Sequence, residues 1–292
     1  MDKPTLAFLG QGLMGQPMTL RLLQAGYRVH VWNRSRPKLQ PALDRGAIEA
    51  ATPREAAKAA DIVLLCLLDT RAVEEVAFGA DGIADAEGRG KVLVDHSSIS
   101  PDATRTFADR LASRSSMQWV DAPVSGGVRG AQDGTLAIMC GGHPEAIDRV
   151  RPALSTYARN ITHMGAAGTG QTTKLCNQVI AGATIAMIAE AVTLAQNAGV
   201  DARRLMEAFA GGFADSKPLQ IFLPRMVAGW KEPIGAANLF LKDLDTAYEL
   251  ARASGTPLPM ASLARELFRQ LAAQGRGEED PAALVSLYRK PK

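Results

Sequence analysis

TLAFLGQGLMGQPMTLRLLQAGYRVHVW, residues 5–32, decides the fold. A short β-type run, Thr5–Leu9, leads straight into Gly10-Gln11-Gly12-Leu13-Met14-Gly15. A helical pattern follows to Gln24, with a stop at Gly26 and a second β run, Tyr27–Trp32. Strand, G-x-G-x-x-G, helix and strand within about 30 residues is the setting in which glycines let a backbone turn sharply and approach a diphosphate on a helix N-terminus. Gly10 through Gly15 are therefore expected to hold a dinucleotide. The end of the second strand selects which one, because an acid there would bond a ribose 2′-hydroxyl. The chain instead reads Asn33-Arg34-Ser35-Arg36. No carboxylate is present to repel a 2′-phosphate, and two guanidiniums are available to pair with it. NADP(H) is the expected cofactor, with NAD(H) the second choice.

Strands and helices go on alternating. Thr52-Pro53-Arg54-Glu55 is a capping box with proline at the first helical position. Asp61–Leu68 is an apolar strand of the kind buried inside parallel sheets, and Asp69-Thr70 caps the next helix. Lys91–Asp95 leads to His96-Ser97-Ser98-Ile99, and Ser100-Pro101 opens a helix. Loops at the C-terminal ends of such strands bind ligands, which adds Leu67, Leu68 and Ser98 to the cofactor candidates. After Met117–Val120 comes Asp121-Ala122-Pro123-Val124-Ser125-Gly126-Gly127. Ser125, Gly126 and Gly127 present successive backbone N–H groups, a nest suited to a carboxylate. Ser125 lacks the surroundings of a hydrolytic nucleophile, with no G-x-S-x-G elbow and no histidine placed to serve it. Two more β runs, Leu136–Cys140 and Ile161–Met164, flank a helix expected over His143–Ala158.

Gly168–Gly199 (GTGQTTKLCNQVIAGATIAMIAEAVTLAQNAG) predicts one long helix, on the order of 40 Å. Its 15 residues from Leu175 to Ala189 are uncharged, fewer than the roughly 18–20 apolar residues of a bilayer span. Being apolar on nearly every face, it reads as a core helix between two domains. Its first turns carry Lys174, Asn177 and Gln178, whose offsets of three and four put them on one face. A lysine beside two amides at the head of a buried helix marks the expected reaction centre, and burial there should lower its pKa. The rest reads helical: one helix capped by Asp201, then Asp215–Gly229, Asp243–Ser254, Met260–Gln274 and a short Ala282–Tyr288. Lys242-Asp243, after Leu239–Leu241, is expected in an exposed first turn. The expected organisation is a doubly wound α/β Rossmann domain over 1–165 and an all-helical domain over 166–292, joined by the helix 168–197.

The 292 residues, 47% hydrophobic and 22% charged with a net charge of +3, suit a globular chain and argue against a nucleic-acid partner. Cys66, Cys140 and Cys176 and the four histidines show neither a disulfide framework nor metal-ligand pairing. The first strand starts too early to leave room for a signal peptide, so a cytoplasmic protein with no membrane partner is expected. Large apolar helical faces suggest a homodimer or homotetramer.

GQGLMGQPM at Gly10–Met18, DAPVSGG at Asp121–Gly127, GTGQTTKLCNQ at Gly168–Gln178 and Lys242-Asp243-Leu244 together resemble the β-hydroxyacid dehydrogenases. The four signatures occur in order and cover essentially the whole chain. The resemblance implies that Lys174 is the catalytic acid/base, that Asn177 and Ser125–Gly127 hold the substrate, and that Lys242 reaches the cofactor. Gln178, beside Asn177, is expected to modulate the fit. Within the family, Lys-Leu-Cys-Asn-Gln at 174–178 and Gly211–Ser216 are most similar to the tartronate semialdehyde reductases. Asn33-Arg34 departs from that subgroup and is similar to glyoxylate and succinic semialdehyde reductases. The expected activity is NADPH-dependent reduction of a small carboxylate-bearing aldehyde to its hydroxyacid. The alternatives are a glyoxylate or succinic semialdehyde reductase, a 3-hydroxyisobutyrate dehydrogenase, or, in another class, a non-catalytic dinucleotide-binding regulator.

Overall fold

The computed structural model describes residues 3–288, and the chain divides into two compact units, Met1–Lys174 and Leu175–Lys292. The described residues of the first form nine strands: β1 Leu6–Leu9, β2 Val29–Trp32, β3 Ile48–Glu49, β4 Ile62–Leu65, β5 Val92–Asp95, β6 Gln118–Asp121, β7 Val124–Ser125, β8 Leu136–Gly141 and β9 Ala158–Gly165. Between them run α1 Gly15–Gln24, α2 Gln40–Leu43, α3 Pro53–Ala59, α4 Thr70–Phe78, α5 Pro101–Ser115, α6 Gly127–Asp133 and α7 Pro144–Leu154. The sheet order is β3-β2-β1-β4-β5-β6-β8-β7, with β9 paired to β8. Strand order reverses between β1 and β4, the doubly wound pattern expected from the sequence. The far edge is mixed, because β8 meets both β6 and β7 antiparallel.

Side chains alternate across the sheet and build two cores. Leu6, Phe8, Val29, Val31, Ile62, Leu64, Val92 and Val94 face Met18 and Leu22 of α1 and Ile147 and Val150 of α7. Ala7, Leu9, Val63, Leu65 and Leu93 face Ala56 of α3, Val73 of α4, and Phe107 and Leu111 of α5. Burial on both faces is why these strands read as continuous apolar runs. Caps read from the sequence form as expected. Thr52 and Asp69 accept the N–H groups of Glu55 and Ala72 at 3.1 and 2.8 Å. Helix α7 ends at Leu154, short of the expected Ala158, because the chain turns at Ser155–Tyr157 and Ala158 already starts β9.

One row of register partners organises the ligand edge. Trp32, Leu9, Leu65, Asp95 and Asp121 are successive partners across β2, β1, β4, β5 and β6. The next residues, Asn33, Gly10, Cys66, His96 and Ala122, therefore leave the sheet side by side at its C-terminal edge, where open α/β sheets bind ligands.

Helix α8, Thr169–Asn197, runs from the first unit into the second and, at about 1.5 Å per residue, spans about 44 Å. In the second unit follow α9 Leu205–Phe209, α10 Lys217–Ala228, α11 Ala237–Ser254, α12 Pro259–Ala273 and a 3₁₀ segment Pro281–Tyr288. Ile185, Ile188, Ala189 and Val192 of α8 pack with Phe222 and Met226 of α10, Leu244 of α11, and Phe268 and Leu271 of α12. Three expectations need correction. Helix α8 is long and apolar enough to cross a membrane by length and composition alone, although its apolar run was expected to fall short, and only 44% of its most apolar stretch is buried. Ile180, Met187 and Leu194, seven residues apart, stay exposed on the chain. The last segment is 3₁₀ rather than α, with Asp280 accepting the N–H of Ala282 at its start. Helix α11 begins at Ala237, six residues before Asp243, because the backbone N–H groups of Ala237 and Asn238 are taken by the carbonyls of Glu279 and Gly277. Lys242-Asp243 thus lies inside a helix, not in an exposed first turn.

Candidate active site

The glycine turn is built for close approach of a ligand backbone. Gly10 has φ +99°, a left-handed conformation, and a Cβ there would overlap the Cys66 carbonyl. A Cβ on Gly15 would strike the Gly10 carbonyl, while one on Gly12 would meet nothing within 4 Å. The middle glycine thus faces open space, the place a diphosphate needs. Met14 at the head of α1 gives no side-chain cap, and the first turn carries no acid, so the positive helix end is left for an anion. This arrangement fits a nicotinamide dinucleotide. Leu13 beside it is exposed, as is Leu68 after β4.

Gln11 and Asn33 turn out to hold the turn together. Gln11 N–H donates to Asn33 Oδ1 at 2.9 Å, its amide Nε2 donates to Thr19 Oγ1 at 2.8 Å, and Asn33 Nδ2 donates to the Ser35 carbonyl at 2.8 Å. Arg34 and Ser35 are exposed. Only one of the two expected guanidiniums is open. Arg36 clamps Glu49 through two bonds of 2.7 and 3.0 Å, because β3 places that carboxylate opposite it. Arg34 makes no hydrogen bond or ion pair with another described residue.

The loops after β4 and β5 are tied to each other and to α8. Leu67 N–H donates to Ser97 Oγ at 2.9 Å, and Ser98 is half-buried in the next loop. Gln171, 1% exposed, donates from Nε2 to the Ser97 carbonyl at 2.7 Å and accepts from Ile99 N–H at 3.2 Å. Asp121, the last residue of β6, caps α8: Oδ1 accepts Gly168 N–H at 2.8 Å and Oδ2 accepts Gln171 N–H at 2.9 Å. Burial raises the Asp121 pKa against the pull of these N–H donors. One turn after Gln171, Lys174 is buried, 8% exposed. Strand end, loop and helix head therefore set where the backbone of Lys174 sits. His96 in the same loop is structural. Its Nδ1–H donates to the Ala122 carbonyl at 2.7 Å, its Nε2 accepts from Tyr157 O–H at 2.9 Å, and burial holds its pKa down to about 4.

Ser125, at the end of β7, is half-buried, and Gly126 and Gly127 are exposed at φ +132° and +65°. A Cβ on Gly127 would meet nothing within 4 Å, so the turn offers backbone rather than side chains.

In the second unit the polar residues form a line. Asn177 Nδ2 donates to Gln178 Oε1 at 3.0 Å, Gln178 Nε2 donates to Asp243 Oδ2 at 2.7 Å, and Lys242 Nζ lies 2.8 Å from Asp243 Oδ1. Gln178 and Asp243 are buried and Asn177 is half-buried. Three residues in these arrangements, Asp121, Gln171 and Asp243, lie in stretches that the sequence singles out but carry no role read from it. Gln171 shares the Lys174 face at an offset of three, a signal that was there to use. Asp121 acts across 47 residues and Asp243 across 65, distances that no local periodicity reports.

Comparison with known proteins gives a consistent picture. The family described as the NAD binding domain of 6-phosphogluconate dehydrogenase matches residues 5–165, and that described as NAD-binding of NADP-dependent 3-hydroxyisobutyrate dehydrogenase matches 168–288. The chain is 40% identical to a 2-hydroxy-3-oxopropionate reductase of Escherichia coli (strain K12), covering 96% of this chain and 95% of that protein. It is 33% identical to an NAD-dependent L-serine dehydrogenase of Pseudomonas aeruginosa, with 97% of each covered. The structure of Mycobacterium tuberculosis 3-hydroxyisobutyrate dehydrogenase with L-serine superposes with a TM-score of 0.89 at 31% identity, covering 99% of this chain and 100% of that one.

Proposed function

The chain belongs to the β-hydroxyacid dehydrogenases related to 3-hydroxyisobutyrate dehydrogenase, and from that premise we propose that it reduces a short carboxylate-bearing aldehyde with NADPH, with tartronate semialdehyde the leading substrate and glycerate the product. It is an oxidoreductase that acts on CH–OH groups with a nicotinamide dinucleotide, which when bound supplies or accepts the hydride. Gly10, Gly12, Leu13, Met14 and Gly15 hold the dinucleotide, on a turn braced by Gln11 and Asn33. Arg34, with Ser35, takes the 2′-phosphate, and Leu67, Leu68, Ser98 and Lys242 complete the cofactor set.

Lys174 is the proton donor. As the aldehyde carbon is reduced, negative charge grows on its oxygen, and a nearby ammonium stabilises that charge and gives up its proton. In the reverse direction the neutral amine takes the hydroxyl proton. The Ser125–Gly127 turn receives the carboxylate through backbone N–H groups, which need no second cation. Asn177 orients the substrate, and Gln178 sets Asn177.

The observation that carries this reading is the position of Lys174, buried one turn after a helix head that Asp121 and Gln171 fix to the ends of β6 and β5. A dinucleotide-binding regulator would have no use for an ammonium held in that way. The test is a ranking of kcat/KM with NADPH for tartronate semialdehyde, methylmalonate semialdehyde, glyoxylate and succinic semialdehyde. Tartronate semialdehyde is expected first. A clear win for succinic semialdehyde would overturn the substrate, and equal turnover of aldehydes without a carboxylate would overturn the role of Ser125–Gly127.

A further inference from the structure

The line Asn177–Gln178–Asp243–Lys242 has a direction. A carboxylate only accepts hydrogen bonds, so the Gln178 amide must turn its NH₂ to Asp243 and its oxygen to Asn177. That oxygen can only accept, so Asn177 in turn must offer its own NH₂ at 3.0 Å. Gln178 and Asp243 are 7% and 5% exposed, which leaves little water to serve a flipped amide. Lys242 at 2.8 Å keeps the carboxylate paired on its other oxygen. The end of the Asn177 amide turned away from Gln178 is Oδ1, which accepts no hydrogen bond from another described residue.

From this geometry we infer that Asp243 is a specificity-determining positioning residue: acting through Gln178, it fixes the Asn177 amide so that the atom offered to substrate is an acceptor. The inference rests on the reading of Asn177 as a substrate-orienting residue. An acceptor oxygen repels a carboxylate or carbonyl oxygen and bonds a donor. The class of substrate it favours carries a hydroxyl on the carbon next to the aldehyde. A hydrogen or a methyl at that carbon leaves Oδ1 unpaired in the bound complex.

The experiment compares kcat/KM, at saturating NADPH, for 2-hydroxy-3-oxopropionate, 3-oxopropionate and 2-methyl-3-oxopropionate. The wild-type protein is expected to favour the hydroxy compound by about tenfold or more over each of the others. In Asp243→Asn, whose amide can present either end to Gln178, that ratio should fall towards one. Gln178→Met, which removes the relay at similar volume, should do the same, so a folding failure of either variant leaves the other. A merely structural defect lowers all three values together and keeps the ratio. A wild-type protein without hydroxyl preference, or a ratio unchanged in the variants, overturns the inference while leaving the aldehyde reductase reading in place. Absence of turnover with all three would instead remove that reading itself.

Discussion

Asp121 Oδ2 accepts the backbone N–H of Gln171 at 2.9 Å, one helical turn before Lys174. The same carboxylate accepts Gly168 N–H, so a single buried group joins the end of β6 to the head of α8. Asp121→Ala leaves two N–H donors buried without partners. At about 1.5–3 kcal/mol for each bond to a charged group, loss of stability of several kcal/mol is expected. In Asp121→Asn, one oxygen remains to accept and the NH₂ faces a donor. The expected result is a folded protein with kcat reduced about tenfold or more and KM for cofactor little changed. Chemical denaturation with steady-state kinetics checks both variants. An unchanged kcat in Asp121→Asn would mean that the cap does not set the position of Lys174.

Arg34 is the exposed guanidinium at the end of β2 that is not already engaged, and the nearby carboxylate of Glu49 is held by Arg36. NADPH is therefore expected to be used about tenfold or more better than NADH, since a charge-assisted bond to phosphate contributes about 1.5–3 kcal/mol. Arg34→Ala should erase most of that difference by raising KM for NADPH alone. Measuring kcat/KM with both cofactors decides it, and an NADH preference insensitive to Arg34→Ala would refute the assignment.

His96 gives the fold an acid-side weakness. Burial lowers its pKa from 6.5 to about 4, so between those values the unfolded chain binds a proton that the folded chain does not. The stabilisation is complete above pH 6.5 and is lost progressively as pH falls towards 4. Between pH 7 and pH 5 the loss from this group is about 2 kcal/mol. Urea unfolding at both pH values should show His96→Gln losing less stability than the wild type over that interval. Equal losses would place the acid sensitivity elsewhere, for instance in other buried groups.

Much of the fold was legible because its determinants are local. The Gly10–Gly15 turn, the Thr52 and Asp69 caps, and the continuous apolar runs of β4 and β5 each depend on neighbours in sequence. What escaped was set by distant partners. The early start of α11 depends on Gly277 and Glu279, and the partial burial of α8 depends on which helices pack against it. Arg36 looked available until β3 brought Glu49 to it. Asp243 looked like a surface acid until its helix turned it towards Gln178. Composition could rank these residues but could not pair them.

The central claim is that the Lys174 ammonium is the proton donor, and Lys174→Ala tests it most directly. The variant should be assayed for aldehyde reduction at neutral pH while cofactor binding is titrated by fluorescence. The account predicts a loss of turnover of about 100-fold or more, the scale of general acid catalysis, with affinity for NADPH nearly unchanged. A variant that binds cofactor normally and keeps substantial turnover would contradict it, because the proton would then come from another group.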